Sequence, residues 1–368
     1  MASNYFGKIY RFTSWGESHG SCIGVVIDGV PAGLEIDFNK IQNDLDSRRP
    51  GYSCFTSPRK EADILQILAG VNNNKTTGAP LSFLVKNSNV DSSSYNVSNN
   101  LYRPGHADFS YHKKYKNYSQ LGGGRASARE TIARVIAGSI ASMVLEKMSV
   151  YVNCYINTLG NISSKIDVSI LDCKNFNCIE DWHPDLKVKQ QMEALLNELI
   201  VSGDSVGGAI SFIVQNCPAG WGEPMYDKLS ARLAYALMSI PATKAFAFGS
   251  GFSSANLFGS EANDQMYVEN TAAKFKTNNA GGILAGISTG ETISGEIIFK
   301  PISSIKREQK TVDFNNKEVA YTNDKTARHD PTAVIRALVV VKAMVQCVLL
   351  DMALMNKVAN LDNILGEL

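Results

Sequence analysis

The sequence predicts a soluble globular chain of mixed strands and helices. Three observations carry this. The composition is 44% hydrophobic and 19% charged over 368 residues, enough apolar matter for a sizeable core. Strand-like runs bounded by Gly, Pro and Asn recur along the chain. Between them lie segments whose apolar residues return every three or four positions, as on a helix. No low-complexity linker divides the chain, so a single domain is expected over 1–368.

Lys8 to Trp15 and Cys22 to Val30 read as strands flanking the turn Gly16-Glu17-Ser18-His19-Gly20. Asp37 offers an N-cap, and Ile41 and Leu45 mark one face of a short helix that ends at Arg48-Arg49-Pro50-Gly51. The Asn- and Ser-rich stretch 86–100 reads as an exposed loop. Ser127 and Glu130 have the spacing of a capping box. Behind them, Ile132, Val135, Ile136, Ile140 and Met143 predict a long amphipathic helix ending near Met148. Gly138 inside it costs roughly 1 kcal/mol of helix propensity and so predicts close backbone packing. Tyr151 to Leu159 reads as a strand, 161–184 as irregular, and Leu186 to Ile200 as a further helix.

Ile23 to Val30 ends in Pro31-Ala32-Gly33 and leads into a helix. Ala209 to Cys217 ends in Pro218-Ala219-Gly220 and leads into a helix over Tyr226 to Met238. This echo suggests two pseudo-symmetric halves. Ala333 to Leu350 is the most apolar run, but it contains Arg336, Lys342 and Gln346. A helix buried on most faces is expected there rather than a membrane span.

The net charge of +1 gives no global field for nucleic acid or membrane. The N-terminus lacks a secretory signal pattern. The seven cysteines are scattered without metal spacing, so reduced thiols and a cytoplasmic location are expected.

Three of the five histidines lie in short segments dense in Gly, Arg and carboxylates. They are the turn holding His19, the segment Arg103-Pro104-Gly105-His106-Ala107-Asp108, and Arg328-His329-Asp330-Pro331. In the second, Asp108 is placed to orient the imidazole; in the third, Asp330 is placed to act chemically or to cap the helix behind it. A fourth segment, Gly122 to Thr131, sets three glycines and Arg125 and Arg129 before a helix. Free N–H groups, a helix dipole and bidentate donors make it an anion cradle. It lacks the Lys-Ser/Thr ending of a nucleoside triphosphate loop. The glycine-rich run 279–288 and Lys300-Pro301-Ile302-Ser303-Ser304 offer further backbone donors and hydroxyls. Each segment alone can be an ordinary turn. Together they point to one polar pocket for a multiply anionic ligand and acid–base chemistry.

These segments, in order and at similar spacing over nearly the whole chain, resemble chorismate synthases. The likeness extends to Asp46-Ser47-Arg48-Arg49-Pro50-Gly51 and to the Ala-Leu-Met-Ser-Ile-Pro-Ala run at 236–242. The resemblance implies an α+β sandwich, with central helices between two antiparallel sheets, assembled as a homotetramer. It implies a carbon–oxygen lyase that eliminates phosphate from 5-enolpyruvylshikimate 3-phosphate to give chorismate, with reduced FMN as cofactor. It assigns His19 to protonating the leaving phosphate, His106 to protonating reduced flavin, and Asp330 to assisting proton removal. Arg48, Arg103, Arg129 and Arg328 would hold substrate, Arg328 also near the flavin. FMN contacts are implied at Arg125, Ala126 and Ser127, at Pro241, Ala242 and Ala285, and at Lys300, Pro301, Ile302, Ser303 and Ser304. Cys54 stands where many relatives have arginine, Ala285 where glycine is usual, and Ala126 where serine is frequent. The length matches the form without a flavin-reductase domain, so reduced FMN is expected from a separate, external reductant; the resemblance also brings an association with NADP.

Two other readings of the same residues exist. His19, His106, Asp108, His329 and Asp330 could ligate a metal in a phosphohydrolase, although several arginines would crowd the cation. An RNA-binding module fits neither the near-neutral charge nor the lack of aromatic stacking motifs.

Overall fold

In the strand Arg11–Gly16, exposed and buried residues alternate from Arg11 to Trp15, so Phe12 faces the core and Thr13 faces away. Leu81, Phe83 and Val85 are buried by the same alternation in Leu81–Lys86. The computed structural model describes residues 3–56, 62–87, 100–116, 121–164, 166–167, 171–323 and 330–365. The loop expected over 86–100 lies mostly outside these, as do Arg328 and His329.

A first antiparallel sheet has the order β1 (Tyr5–Phe6), β2 (Arg11–Gly16), β3 (Cys22–Asp28), β7 (Leu81–Lys86), β4 (Leu65–Ala69). A second has the order β11 (Thr243–Phe248), β16 (Ile293–Phe299), β10 (Gly208–Gln215), β8 (Tyr151–Leu159), β9 (Ile162–Ser163). Small hairpins join β5 (Val71–Asn72) to β6 (Lys75–Thr76), β12 (Met266–Glu269) to β13 (Ala272–Phe275), β14 (Ile283–Leu284) to β15 (Ile287–Ser288), and β17 (Gln309–Val312) to β18 (Glu318–Tyr321).

The helices are α1 (Phe38–Arg48), α2 (Asp108–Tyr115), α3 (Thr131–Lys147), α4 (Leu186–Ser202), α5 (Leu229–Met238), α6 (Gly259–Ala262), α7 (Val334–Asn356) and α8 (Leu361–Leu365). α3 packs on β2 and β3, α7 packs on β8 and β10, and the two helices pack on each other. The result is the expected α+β sandwich, with helices between two antiparallel sheets. β10 is buried almost throughout: Ile210, Phe212 and Val214 join the main core, and Ile213 joins a small cluster with Leu171 and Cys173 on the other face.

α1 follows its sequence signals. The Asp37 carboxylate accepts from the Lys40 N–H at 3.0 Å, Ile41 and Leu45 are fully buried, and the helix stops before Pro50. Gly138 also acts as expected: a Cβ there would sit 2.3 Å from the Ala343 Cα, so α3 and α7 meet nearly backbone to backbone. α7 is long and apolar enough to cross a membrane, but 83% of its most apolar stretch is buried inside the fold.

Three expectations need correction. Ser127 and Glu130 form no capping box. Ser127 caps a short 3-10 turn over Ala128–Glu130, and α3 starts only at Thr131. The Glu130 carboxylate is drawn instead to Arg134 Nε at 3.1 Å and the Ser14 hydroxyl at 3.3 Å. α3 is not amphipathic, because helices and sheet enclose it on nearly every face. The helix expected from Tyr226 begins at Leu229, leaving Tyr226 in the exposed turn before it.

The first sheet and α7 are tied by one carboxylate. Asp351, 1% exposed, accepts from the backbone N–H groups of Lys8, Ile9 and Tyr10 at 2.8–3.0 Å.

Candidate active site

A cavity of about 540 Å³ opens where the ends of several elements converge. The 3-10 segment before α3, the start of α2, the chain after β16 and the first turns of α7 each supply a wall. Arg48, Arg103, Lys300 and Arg336 face two carboxylates, Asp108 and Asp330, so positive charge is in excess. Ile240, Phe299, Ala337 and Val340 supply an apolar part of the lining.

The Arg103 and Lys300 segments, far apart in sequence, are clamped together. Lys300 Nζ donates to the Gly105 carbonyl at 2.7 Å and to Ser303 Oγ at 2.8 Å, and Ser303 Oγ donates to the same carbonyl at 2.9 Å. Gly105 has φ +69°, and a Cβ there would lie 2.5 Å from Ser303 Oγ, so only glycine permits the approach. Burial, with Lys244 nearby, pushes the Lys300 ammonium below its ordinary value.

His106 bridges this clamp. Its Nδ1 lies 2.9 Å from the Pro104 carbonyl and its Nε2 lies 2.9 Å from Ser304 Oγ. A carbonyl can only accept, so Nδ1 carries a proton and Nε2 of the neutral ring accepts from Ser304. Burial, and then the Arg103 charge, push the imidazole below its ordinary value, which favours this neutral form. Asp108 does not orient His106 through a hydrogen bond, contrary to the sequence-based expectation. Its carboxylate accepts from Arg103 Nε and Nη2 at 2.8 Å each and from the Arg103 backbone N–H at 3.0 Å. A bidentate guanidinium is the stronger partner. Burial alone would raise Asp108, but the Arg103 hydrogen bonds and charge outweigh it and hold the carboxyl below the usual range.

Asp330 lines the cavity and accepts from Arg336 Nη1 at 2.8 Å, while Arg336 Nε donates to the Arg48 carbonyl at 3.0 Å. Asp330 therefore does not cap α7, whose N-cap residue is Ala333. Arg48 is 1% exposed and pairs with the buried Asp63, whose other oxygen lies 3.1 Å from Arg129 Nη2. Burial lowers Arg48 to about 10, with Asp63 opposing and Arg336 adding, so it stays a cation at neutral pH.

The cavity brings together most of the residues expected from sequence. His106, Asp330, Arg48 and Arg103 line it; so do Ala126 and Ser127, Pro241 and Ala242, and the Lys300 to Ser304 run. His19, Arg125, Arg129 and Ala285 do not. Arg125 donates to Ser14 Oγ at 2.7 Å and the Gly16 carbonyl at 3.2 Å, holding the end of β2. Ala285 sits at φ +51° in the β14–β15 hairpin. His19, half-buried, lies with Nδ1 3.3 Å from Ser18 Oγ. Its turn is nevertheless linked to the cavity. Asn87 Nδ2 donates to the Glu17 and Gly20 carbonyls, Arg129 Nε donates to Asn87 Oδ1 at 2.7 Å, and Arg129 shares Asp63 with Arg48.

Sequence reasoning missed Arg336 and Tyr111, which line the cavity, and Asp63 and Asn87, which are linked to it. Arg336 had a signal: a cation inside the most apolar run, six residues after Asp330. Asp63 and Asn87 had none, because their importance rests on long-range pairing. Among the described residues no group of three His, Cys, Asp or Glu side chains could hold a metal ion, so nothing here supports the phosphohydrolase reading.

The family model described as chorismate synthase matches residues 10–354. A chorismate synthase of Protochlamydia amoebophila is 43% identical, covering 98% of this chain and all of that protein. One of Prochlorococcus marinus strain MIT 9301 is 45% identical over 96% of this chain. A chorismate synthase crystal structure superposes with a TM-score of 0.73 at 26% identity, covering 95% of this chain. In sequence along almost its whole length, and in fold, this chain belongs to the chorismate synthase family.

Proposed function

We propose that the cavity eliminates phosphate from 5-enolpyruvylshikimate 3-phosphate to give chorismate, with reduced FMN bound beside the substrate. The observation that carries this reading is the convergence of Arg48, Arg103, Lys300 and Arg336 on one cavity that also holds His106 and Asp330. The substrate carries two carboxylates and a phosphate, and FMN a further phosphate, so a site with excess guanidinium and ammonium fits both. The apolar lining of Ile240, Phe299 and Val340 suits a flat ring system. When bound, reduced FMN supplies transient electron density to a reaction without net redox change.

Arg48, Arg103 and Arg336 would hold the substrate's anionic groups, and Lys300 with Ala126 and Ser127 the flavin side. Asp330, held by Arg336, would assist in taking the ring proton. The C–H electron pair moves into the new double bond, and the phosphate leaves with the electrons of the C–O bond. His106 reaches the cavity as a neutral imidazole, so it can accept a proton at Nε2. To donate one it must first be charged, and bound anions would raise its pKa toward that state. His19, Arg125, Arg328 and Ala285 keep the roles the family implies as part of this proposal; Arg129 would instead act through Asp63 on Arg48. Homotetramer assembly and an external flavin reductant belong to the same reading.

Anaerobic incubation with substrate and dithionite-reduced FMN tests it. Chorismate and phosphate should form in equal amounts with no net flavin consumed. Turnover without flavin, or none with it, would overturn the proposal.

A further inference from the structure

A second cleft, of about 360 Å³, lies at the other end of α3, between the C-terminal part of that helix, α7 and β8. The first cavity takes Thr131 from the start of α3; this one takes Ser142 and Glu146 from its end. Gln346 of α7 lines the cleft and is only 6% exposed, yet among the described residues its amide makes no hydrogen bond. Lys342, one turn earlier on the same face, also lines the cleft. Among the described residues its ammonium has neither a hydrogen bond nor a carboxylate in ion-pair contact. Polar side chains set this deeply ordinarily find protein partners. Two adjacent ones that have none and open onto a cleft mark a place where a ligand can supply what the protein does not.

The charge around them selects the ligand's sign. Lys40, Lys174 and Lys342 line the cleft against a single carboxylate, Glu146, which is already paired with Lys40 at 3.3 Å. The walls select its body: Val152, Phe176 and Tyr151 offer apolar and aromatic surface. Burial works against the Lys342 charge, but nearby Cys178, Asp44, Cys154 and Glu146 raise it overall. The two thiols are themselves pushed up by burial, so at neutral pH the two carboxylates keep the ammonium charged.

We propose that this cleft is a second binding site, for a small organic carboxylate with an apolar or aromatic body. Lys342 and the Gln346 amide take the carboxylate, Lys174 closes over it from the rim, and Phe176 and Val152 receive the body. The site is separate from the cavity assigned to catalysis and does not depend on that assignment.

Titration calorimetry of the full chain with benzoate, and separately with inorganic phosphate, tests the proposal. Benzoate should bind, and Lys342→Met should weaken it at least about tenfold, the loss of one charge pair. Gln346→Leu should weaken it several-fold, and both variants should keep wild-type turnover. Thermal unfolding checks that each variant folds; if Lys342→Met does not, Gln346→Leu carries the comparison. Three results would overturn the proposal. They are no benzoate binding to the wild type, binding indifferent to both substitutions, or phosphate binding as tightly as benzoate at the same residues.

Discussion

His106 holds its proton on Nδ1 because the Pro104 carbonyl offers no alternative, and it presents Nε2 to Ser304. Its depressed pKa has a consequence for stability. The unfolded chain binds a proton near the ordinary value of 6.5, while the folded chain resists until lower pH. Stability from this site is therefore fully present above about pH 6.5 and is lost as pH falls through the lower folded value. His183, also depressed by burial, acts in the same direction. Melting temperature followed from about pH 7.5 to 5 should fall, and His106→Gln should flatten part of that slope while His183 keeps the rest. The same substitution should slow turnover by roughly 10²–10⁴-fold if His106 transfers a proton. An unchanged slope would mean that the ring is not held neutral by its surroundings. At this scale the sequence was informative about residue type and poor about partnership. Arg103, His106 and Asp108 all stood out in one short segment, but their spacing suggested a His–Asp pair. The structure gives Asp108 to Arg103, because a guanidinium can donate to both carboxylate oxygens at once and an imidazole cannot.

Among the elements, α3 and α7 are the axis on which the cavity is hung. Thr131 at the start of α3 and Arg336 in the first turns of α7 both line it. Their closeness depends on Gly138 facing Ala343. Gly138→Ala sets two effects against each other. Helix propensity favours Ala by about 1 kcal/mol. The new Cβ, however, would lie 2.3 Å from backbone and side-chain atoms of Ala343, and backbone cannot rotate away. Overpacking of this kind costs typically about 1–3 kcal/mol, so net destabilisation is expected, together with weaker turnover as the cavity walls shift. Urea unfolding of the variant decides the sign; a gain in stability would mean that the helices have room. The sequence announced α1 from its period and cap, α3 and α4 from their period, and α7 from its apolar run. It did not reveal that α3 is enclosed on nearly all faces, because Ser139 and Ser142 look like a polar side. They are buried only because their hydroxyls bond to carbonyls within the helix and to Asp44.

Over the whole molecule, the sandwich was legible through family resemblance rather than periodicity, since which strands share a sheet is a long-range fact. The Pro-Ala-Gly echo does acquire a physical setting. β3 and β10 are each the central strand of a five-stranded sheet, and α1 and α5 are the helices that follow them. We propose on that basis that the single domain is built as two pseudo-symmetric halves, which superposition of the two strand–helix units would test.

What joins the N-terminal strands to the far end of α7 is Asp351. It is 1% exposed, accepts three consecutive backbone N–H groups from Lys8 to Tyr10, and lies 3.5 Å from Arg232. Those N–H groups cannot join the β1–β2 ladder, because the chain turns there, and Tyr10 buries its ring with its hydroxyl on the Ala137 carbonyl at 2.6 Å. The carboxylate thus satisfies the turn, neutralises Arg232 and fixes the entry to the first sheet against a helix of the second layer. Asp351→Ala would strand the buried Tyr10 N–H and remove the partner of Arg232, while water can reach the donors of the exposed Lys8 and Ile9; an unsatisfied buried group costs about 1–3 kcal/mol. A loss of about 1–3 kcal/mol is expected, carried by the whole cooperative unit because the contact joins both layers. Asp351→Asn separates charge from hydrogen bonding. Its amide keeps one acceptor oxygen, so it should lose less than Ala but more than a surface change. Urea unfolding followed by both far-ultraviolet circular dichroism and tryptophan fluorescence should show one coincident transition shifted to lower denaturant in each variant. If instead only one probe shifted, the two sheets would unfold independently, and Asp351 would anchor a local turn rather than the sandwich.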